Sequence, residues 1–300
     1  MKEHLAPSVP EVGILVGVDG SPESHAALRF AAQEAALRRR PVTLMHVVAP
    51  IVVTWPIESV VTDFYQWQED NAADVLRRSQ ETIESIGDAE IDVQISLRRD
   101  GVVTELADAA RQADMLVLGS RGLGPVGGVA LGSVSRTMLQ HAECPVVIVK
   151  EGAVRGTDRE LPVLLGIDGS PASEAATAFA FDEASRRGVD LIALHAWSDV
   201  AVFPILGMNW HERQDEGHEI LGERLAGWHE SYPDVHVSRR IVCDKAARWL
   251  IDEAKYAQLV VVGSRGRGGI PAMLLGSVSS AVAERATTPV AVVRGGLRRA

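Results

Sequence analysis

Cysteine, aromatic residues, positive charge and long apolar runs are all scarce in this chain, and each scarcity closes off a class of protein. The two cysteines, Cys144 and Cys243, lie far apart and neither belongs to a C-x-x-C pair. Zinc sites and disulfide frameworks need more thiols at closer spacing, so both read as small apolar fillers in a reducing cytoplasm. Aromatic residues make up 5% of the chain while Gly (27) and Pro (14) are ordinary in number, which opposes disordered and fibrous classes. Lys and Arg total 30 against 40 Asp and Glu, a formal net charge of -10. Nucleic acid and anionic membranes both need a basic face, and this balance denies one. The longest uncharged stretch, Pro41 to Ile57, holds three prolines and His46 and is too short and broken to span a bilayer. Met1 to Glu11 is polar and the run Ile14 to Val18 stops at Asp19, so no secretion signal is legible. No G-x-x-x-x-G-K-[ST] segment occurs, and no acidic strand end is placed to hold Mg²⁺ as in P-loop enzymes. Machinery for fast phosphoryl transfer is not visible.

What is present is a duplication. A chain of 300 residues, 46% hydrophobic, suits two domains of about 150, each large enough for its own core. Val16-Gly-Val-Asp19-Gly-Ser21 returns as Leu165-Gly-Ile-Asp168-Gly-Ser170. Gly119-Ser-Arg-Gly122, nine residues and Gly132-Ser133 return as Gly263-Ser-Arg-Gly266, nine residues and Gly276-Ser277. Asp19 and Asp168 are 149 positions apart, a spacing kept by Phe30 and Phe179, Glu34 and Glu183, and His46 and His195. Gly119 and Gly263 are 144 apart, as are Pro145 and Pro289. The first half therefore carries five extra residues between His46 and Gly119. Such a long period marks duplicated domains, because solenoid units run to roughly 20–50 residues. Polar Glu151 to Glu160, with two glycines, reads as a linker between domains at 1–150 and 161–300.

Each half alternates strand and helix. Apolar runs predict strands at Ile14–Val18, Val42–Val48, Ile91–Leu97, Met115–Leu118 and Val146–Val149. Helical spacing predicts helices at Ala26–Arg39, about Trp67–Ile86, Val103–Gln112 and onward from Ser133, with Ser21 and Pro22 as an N-cap and first helical residue. The second half repeats this order, most clearly at Leu191–His195, Leu259–Val262 and Val290–Val293. Alternation of this kind implies right-handed crossovers and an α/β fold, a doubly wound parallel sheet covered on both faces. Ligands of such sheets sit beyond the strand C-termini where the winding reverses. If the first and fourth strands are neighbours, Asp19 and the loop from Gly119 face one crevice.

A loop poor in side chains lets backbone N–H groups approach phosphate oxygens, and a helix opening at Ser133 or Ser277 adds free N–H groups and a positive dipole end. The hydroxyls of Ser133, Ser135, Ser277 and Ser279 are further donors. Charge-assisted bonds contribute roughly 1.5–3 kcal/mol each, so four or five supply much of the roughly 8 kcal/mol of a micromolar complex. The competing reading is an ordinary strand-to-helix loop, and repetition of the full spacing beside a repeated Asp weighs against it. Asp19 and Asp168 can accept from a ribose or an adenine amine, or can simply shape an Asp-Gly-Ser turn. Their place opposite the glycine loop favours the ligand role. Gly122-Leu-Gly124-Pro-Val-Gly127 matches the dinucleotide fingerprint, but no helix opens there and Pro271 replaces the third glycine in the second half, so NAD is rejected. His46 and His195 lack partners at catalytic spacing and read as core histidines with satisfied hydrogen bonds. His211 and His218 form no recognised metal spacing. Arg121, Arg265 and Arg267 either touch phosphates or are solvated, and Trp197, Trp210, Trp228 and Trp249 read as packing residues.

The Asp-Gly-Ser strand end, the histidine closing the second strand and the G-x2-G-x9-G-S pattern followed by Val-Ser resemble the universal stress protein family. Both halves carry the pattern, so the chain is similar to the tandem, ATP-binding type. That resemblance implies two five-stranded parallel sheets of order 3-2-1-4-5, a Rossmann-like architecture, with ATP between the first and fourth strands of each. Asp19 and Asp168 would contact adenosine, Val47 and Ala196 would meet adenine through their backbone, and Gly17 and Gly166 would permit close approach. Gly119, Ser120, Arg121, Gly122, Gly132, Ser133, Val134 and Ser135 would line ribose and phosphates. Gly263, Ser264, Arg265, Gly266, Arg267, Gly268, Gly276, Ser277, Val278 and Ser279 would do so in the second half. Fifth strands pair across a two-fold axis in the family; here Val146–Val149 and Val290–Val293 would pair within one chain and hide two apolar edges, with a homodimer as a further option.

The departures from the family pattern are modest. The loop Leu123 to Ala130 has no counterpart to Arg267, and Pro50 stands where the second half has Asp199, a polar contact near the base. The resemblance implies two ATP molecules per chain, with Mg²⁺ an open companion, and a cytoplasmic, nucleotide-dependent regulator of the stress response or growth with an unidentified protein partner. The alternatives are an adenine-nucleotide enzyme (a slow ATPase or a phospho- or adenylyl transferase), a cAMP-binding protein and a scaffold with vestigial pockets.

Overall fold

The computed structural model describes residues 11–50, 58–86, 91–124, 130–154, 160–197, 219, 221–243, 245–266 and 274–295. Within them the first half runs β1 (Ile14–Gly17), α1 (Pro22–Arg38), β2 (Val42–Val48), α2 (Glu58–Glu84), β3 (Val93–Arg99), α3 (Val102–Ala110), β4 (Met115–Gly119), α4 (Ser133–His141) and β5 (Val146–Val149). The second half runs β6 (Val163–Gly166), α5 (Pro171–Arg187), β7 (Leu191–Ala196), α6 (Trp228–Ser231), β8 (Val237–Val242), α7 (Ala246–Glu253), β9 (Leu259–Gly263), α8 (Ser277–Arg285) and β10 (Val290–Val293).

Strands without a polar face must be buried on both sides, and these are. In β1, Ile14 and Val16 enter one core layer and Leu15 the other; in β9, Leu259 and Val261 alternate with Val260 and Val262 in the same way. Each fully buried side chain of this size contributes roughly 1.5–3 kcal/mol. The strands form one ten-stranded sheet of order β3-β2-β1-β4-β5-β10-β9-β6-β7-β8, which is 3-2-1-4-5 read outward-in from each edge. Pairing within each half is parallel, and β5 meets β10 antiparallel with Val147 opposite Ala291. The expected intrachain pairing of the fifth strands is therefore present.

The crossover helices follow from their caps. Ser21 accepts the Ser24 N–H at 3.1 Å ahead of Pro22, and Ser170 accepts the Ser173 N–H at 3.2 Å ahead of Pro171. This capping starts α1 at Pro22, four residues before its apolar periodicity becomes legible. Helix α2 likewise begins at Glu58 rather than near Trp67, and β3 ends at Arg99 rather than Leu97. The five extra residues fall between β2 and β3, because β7 lies 149 positions after β2 but β8 only 144 after β3. Trp228 stacks on Phe181 with ring centroids 5.3 Å apart, as a packing residue should. Trp249 departs from that expectation and stands on the outer side of α7, 42% exposed, while Trp210 lies outside the described residues. Among the described residues no helix is long and apolar enough to cross a membrane.

Where α1 and α5 meet beside the β5–β10 seam, four charges are buried together. Glu34 and Glu183 are wholly buried, and each touches both Arg38 and Arg187: Arg38 Nε donates to Glu34 at 3.1 Å, Arg187 Nε donates to Glu183 at 2.9 Å, and two shorter pairs, Arg38–Glu183 and Arg187–Glu34, cross between the halves. The guanidinium of Arg187 lies over the Phe30 ring and that of Arg38 over Phe179, at 5.7 and 5.5 Å. Burial, then the neighbouring Glu183 charge, pushes the Glu34 carboxyl up to about 7. Burial also opposes the charged form of Glu183, but Arg187 and Arg38 outweigh it and hold that carboxyl below its ordinary range.

Removing one member strands the others without compensation. Arg187→Leu is expected to lower stability at neutral pH by about 3–5 kcal/mol. Arg187, with Arg38, holds the folded Glu183 carboxyl below its ordinary value of 4.5, so the stability this contributes is present above 4.5 and is lost as the pH falls through the lowered folded value. Denaturant titrations of variant and wild type should thus keep their separation down to pH 4.5 and converge only below it. A gap that widens on acidification would contradict the assignment.

Candidate functional site

The winding of each half reverses between its first and fourth strands, β1 with β4 and β6 with β9, which lie side by side with Gly17 opposite Leu118 and Gly166 opposite Val262. Their C-terminal ends carry Asp19 and Asp168, and across from them the glycine loops leave β4 and β9. The carboxylate and the loop are directly tied. Asp19 Oδ1 accepts the Ser21 N–H at 3.0 Å and Oδ2 accepts the Leu123 N–H at 3.2 Å. Asp168 Oδ1 accepts the Ser170 N–H at 2.9 Å, and the Ser170 hydroxyl donates to the Arg265 carbonyl at 3.1 Å. Asp19 is therefore a turn-former and a loop anchor at once, while Asp168 forms the turn whose Ser170 ties the second loop.

Two kinds of glycine shape the loop. A Cβ at Gly122 would lie 2.4 Å from Asp19 Oδ2, and one at Gly266 would lie 2.5 Å from Asp168 Oδ2, so a side chain there would displace the carboxylate. Gly119 and Gly263 instead press on the first turns of α1 and α5, where a Cβ would approach Glu23 and Ala172 backbone at 2.8 Å. Their need for glycine is packing between elements rather than room for a ligand.

The expected hydroxyl donors divide the same way. Ser135 donates to the Gly119 carbonyl at 2.7 Å, and Ser279 donates to the carbonyls of Ser264 and Gly276 at 3.1 Å. The Gly132 and Gly276 amides are also taken, by the Ser120 and Ser264 carbonyls at 2.7 and 2.8 Å. Ser120 and Ser264 are buried, with amides bonded to Val149 and Val293. These groups fix the loop from inside. What remains open is the first helical turn: Gly132 and Gly276 are N-caps without a capping side chain, and the amides of 133–135 and 277–279 meet no acceptor among the described residues. Among the described residues each half thus carries three N–H groups without an acceptor and a positive helix end directly after the glycine loop, and in the second half these residues line the crevice.

In the second half the crevice is a hollow of about 470 Å³, within the size range of small-molecule sites. Gly166, Asp168, Ala196, Gly263, Arg265, Gly266, Gly276, Ser277, Val278 and Ser279 line it, as expected. Ser264 does not, and Asp199, Arg267 and Gly268 lie outside the described residues. Lining residues that motif reading missed are Ser173 on α5 and Lys245, Ala246, Ala247 and Leu250 around the start of α7. Their signal is topological, since α7 enters the crevice only because its strand lies two places along the sheet. Lys245 occupies the N-cap in a left-handed conformation, φ 53°, rare for a residue with a side chain. In the first half Arg121 is held by Glu23, with Nη2 2.5 Å from Oε1. Val47 sits half-buried near the end of β2, and His46 and His195 donate from Nδ1 to the carbonyls of Val18 and Ile167 at 2.7 Å, satisfied structural histidines that join the first two strands of each half. Another hollow of similar size, at the amino ends of β6 and β7, is lined by Pro162, Gly188 and Asp190, and no repeated motif reaches it.

Comparison with known proteins agrees with this architecture. The model of the universal stress protein family matches residues 13–150 and again 161–294. A universal stress protein of Mycolicibacterium smegmatis is 53% identical over 97% of this chain and 99% of its own length. Universal stress protein Rv2005c of Mycobacterium tuberculosis is 48% identical, covering 94% of this chain and 97% of its own. The crystal structure of a universal stress protein from Archaeoglobus fulgidus superposes with a TM-score of 0.69 at 21% identity, over 96% of this chain and all of that one, a likeness of fold. The chain belongs to the universal stress protein family, in a form with two tandem copies of the family unit.

If Asp19 anchors the glycine loop, Asp19→Ala frees the amides of Ser21 and Leu123. Hydrogen exchange at Leu123, followed by NMR, is expected to quicken at least about tenfold, the equivalent of one bond to a charged acceptor. Unchanged exchange would mean that the loop is held by other contacts.

Proposed function

We propose that the protein binds an adenine nucleotide, ATP by preference, in each of its two crevices, and acts as a nucleotide-dependent regulator in the stress response rather than as a fast enzyme. One observation carries this reading: in both halves a strand-end carboxylate, a glycine loop and an uncapped helix start converge at the reversal of the sheet. The groups match the two ends of the ligand. Amides at 133–135 and 277–279 suit phosphate oxygens, which need donors and no particular side chain. Asp19 and Asp168 keep acceptor capacity for ribose hydroxyls, and the backbone around Val47 and Ala196, at the ends of β2 and β7, is positioned for a base edge. The hollow of about 470 Å³ with Leu194, Leu250 and Val262 in its wall gives the base an apolar bed. Binding units at 1–150 and 161–300 around the linker 151–160, and Mg²⁺ travelling with the phosphates, belong to the same proposal.

Nothing in this arrangement requires turnover. His46 and His195 spend Nδ1 on strand-end carbonyls, and the loop groups are donors that hold charge rather than activate water. A rapid, Mg²⁺-dependent release of product by the purified protein would replace the regulatory reading with an enzymatic one.

The direct experiment is equilibrium binding of ATP at saturation, with bound nucleotide identified after denaturation. Two adenine nucleotides per chain are expected. Gly122→Glu puts a like charge and a bulky side chain where Asp19 Oδ2 lies 2.4 Å from the nearest possible Cβ, so one nucleotide per chain should remain. Two bound nucleotides in that variant would remove the phosphates from the place assigned to them.

A further inference from the structure

Superposing the repeats in sequence register gives, besides Leu123 against Arg267 and Pro50 against Asp199, whose second members lie outside the described residues, two charge differences among the described residues of the crevices. Position 23 of the first half is Glu; its counterpart 149 residues on is Ala172. Position 101 is Gly; its counterpart 144 residues on is Lys245. Both differences act on the same place. Glu23 sits in the first turn of α1 directly behind Gly119, its side chain 7% exposed, and takes Arg121 in a pair: Nε donates to Oε1 at 2.7 Å, with Nη2 2.5 Å from the same oxygen. Ala172 makes the same backbone contact behind Gly263, at 2.8 Å, and offers no acid. Arg265, the counterpart of Arg121, has no ion pair among the described residues and lines the second hollow. Lys245 lines it too, in a left-handed backbone conformation, whereas Gly101 at the same helix start has φ −62° and no charge to offer. The other nearby cations, Lys150 beside Arg121 and Arg294 beside Arg265, occur in both halves and do not alter the comparison.

We infer that the two crevices are unequal polyanion sites: Glu23 holds the first in a weak-binding form by occupying Arg121, and the second, with Arg265 and Lys245 facing it, is the tight site for the triphosphate. This rests on the nucleotide reading above and adds the rank order and the residue that sets it. Formally, Asp19, Glu23 and Arg121 leave the first crevice at −1, and Asp168, Arg265 and Lys245 leave the second at +1. A triphosphate entering the first crevice must either separate the Glu23–Arg121 pair or lie against a nearly buried carboxylate. In the second it meets Arg265, behind which Ala172 offers no acid. The loss of one charge-assisted contact is worth about tenfold in affinity or more.

Single-site proteins test this. Gly266→Glu leaves the first crevice and Gly122→Glu leaves the second; each is titrated calorimetrically with ATP and with adenosine. The second-site protein is expected to hold ATP at least tenfold more tightly. In the first-site protein, Glu23→Ala, which installs the residue the second half already has in that contact, should tighten ATP by about tenfold and leave adenosine unchanged. Glu23→Gln, which keeps the shape and removes the charge, should move ATP the same way, and thermal melting confirms that each variant is folded. ATP uptake with equal affinity at the two sites, or no gain on neutralising Glu23, overturns the rank order while the nucleotide reading stands. An equal gain for adenosine overturns the electrostatic cause. Failure of both proteins to take up ATP overturns the nucleotide reading and this assignment with it.

Discussion

The side-by-side pairing of β1 with β4, and of β6 with β9, is the constraint from which the site follows. Right-handed crossovers send the chain outward to β3, back under the sheet and down again beside β1, so two strand ends nearly a hundred residues apart share one rim. The rim needs a carboxylate on one side and a loop without side chains on the other. Asp19 supplies both the acceptor and the tie, because its second oxygen holds the loop amide of Leu123. The inner hydroxyls and amides of the loop are spent on its own shape. This leaves the helix start, an uncapped turn of donors, as the outward-facing group. Main-chain donors are therefore what the crevice offers an anion in the proposed reading, and the set is narrower than the glycine pattern implies.

The duplication places a second constraint at the seam. Two copies of one fold can bury their apolar fifth strands only against each other, and antiparallel pairing of β5 with β10 does this without leaving an edge. The same near-symmetry brings Glu34 and Arg38 of α1 onto Glu183 and Arg187 of α5. A buried quartet of this kind contributes less to net stability than to register: a slip of either helix would leave charges unmatched in a low-dielectric layer. Aromatic faces at Phe30 and Phe179 close the group against water. The two crevices thus sit on one rigid sheet whose halves are held in a fixed relation.

Symmetry in the scaffold makes asymmetry at the sites readable. Matching aspartates and matching helix starts at Ser133 and Ser277 mean that a single acid behind one loop, or a single lysine at one helix N-cap, changes one crevice and not the other. Glu23 stands next to Ser24, whose counterpart Ser173 has an alanine before it, while the serine N-cap and the proline that follows it are the same in both helices. Divergence after duplication has altered charge behind the first loop while the backbone contact there, at 2.8 Å in both halves, is kept.

Sequence alone determined the period, the strand order implied by the family pattern, and most of the crevice. These depend on local chemistry: apolar runs that must be buried, Ser-Pro starts that cap a helix, and glycines whose spacing is set by the backbone. Local pattern could not say which glycines meet a ligand and which meet a helix, since Gly119 and Gly122 read alike and only the packing of α1 separates them. Nor could it show that Ser135 and Ser279 turn inward, that α7 brings Lys245 to the hollow, or that Glu23 reaches Arg121 across 98 positions. Those facts were decided by tertiary structure, because each depends on the distance between elements that the chain itself places far apart.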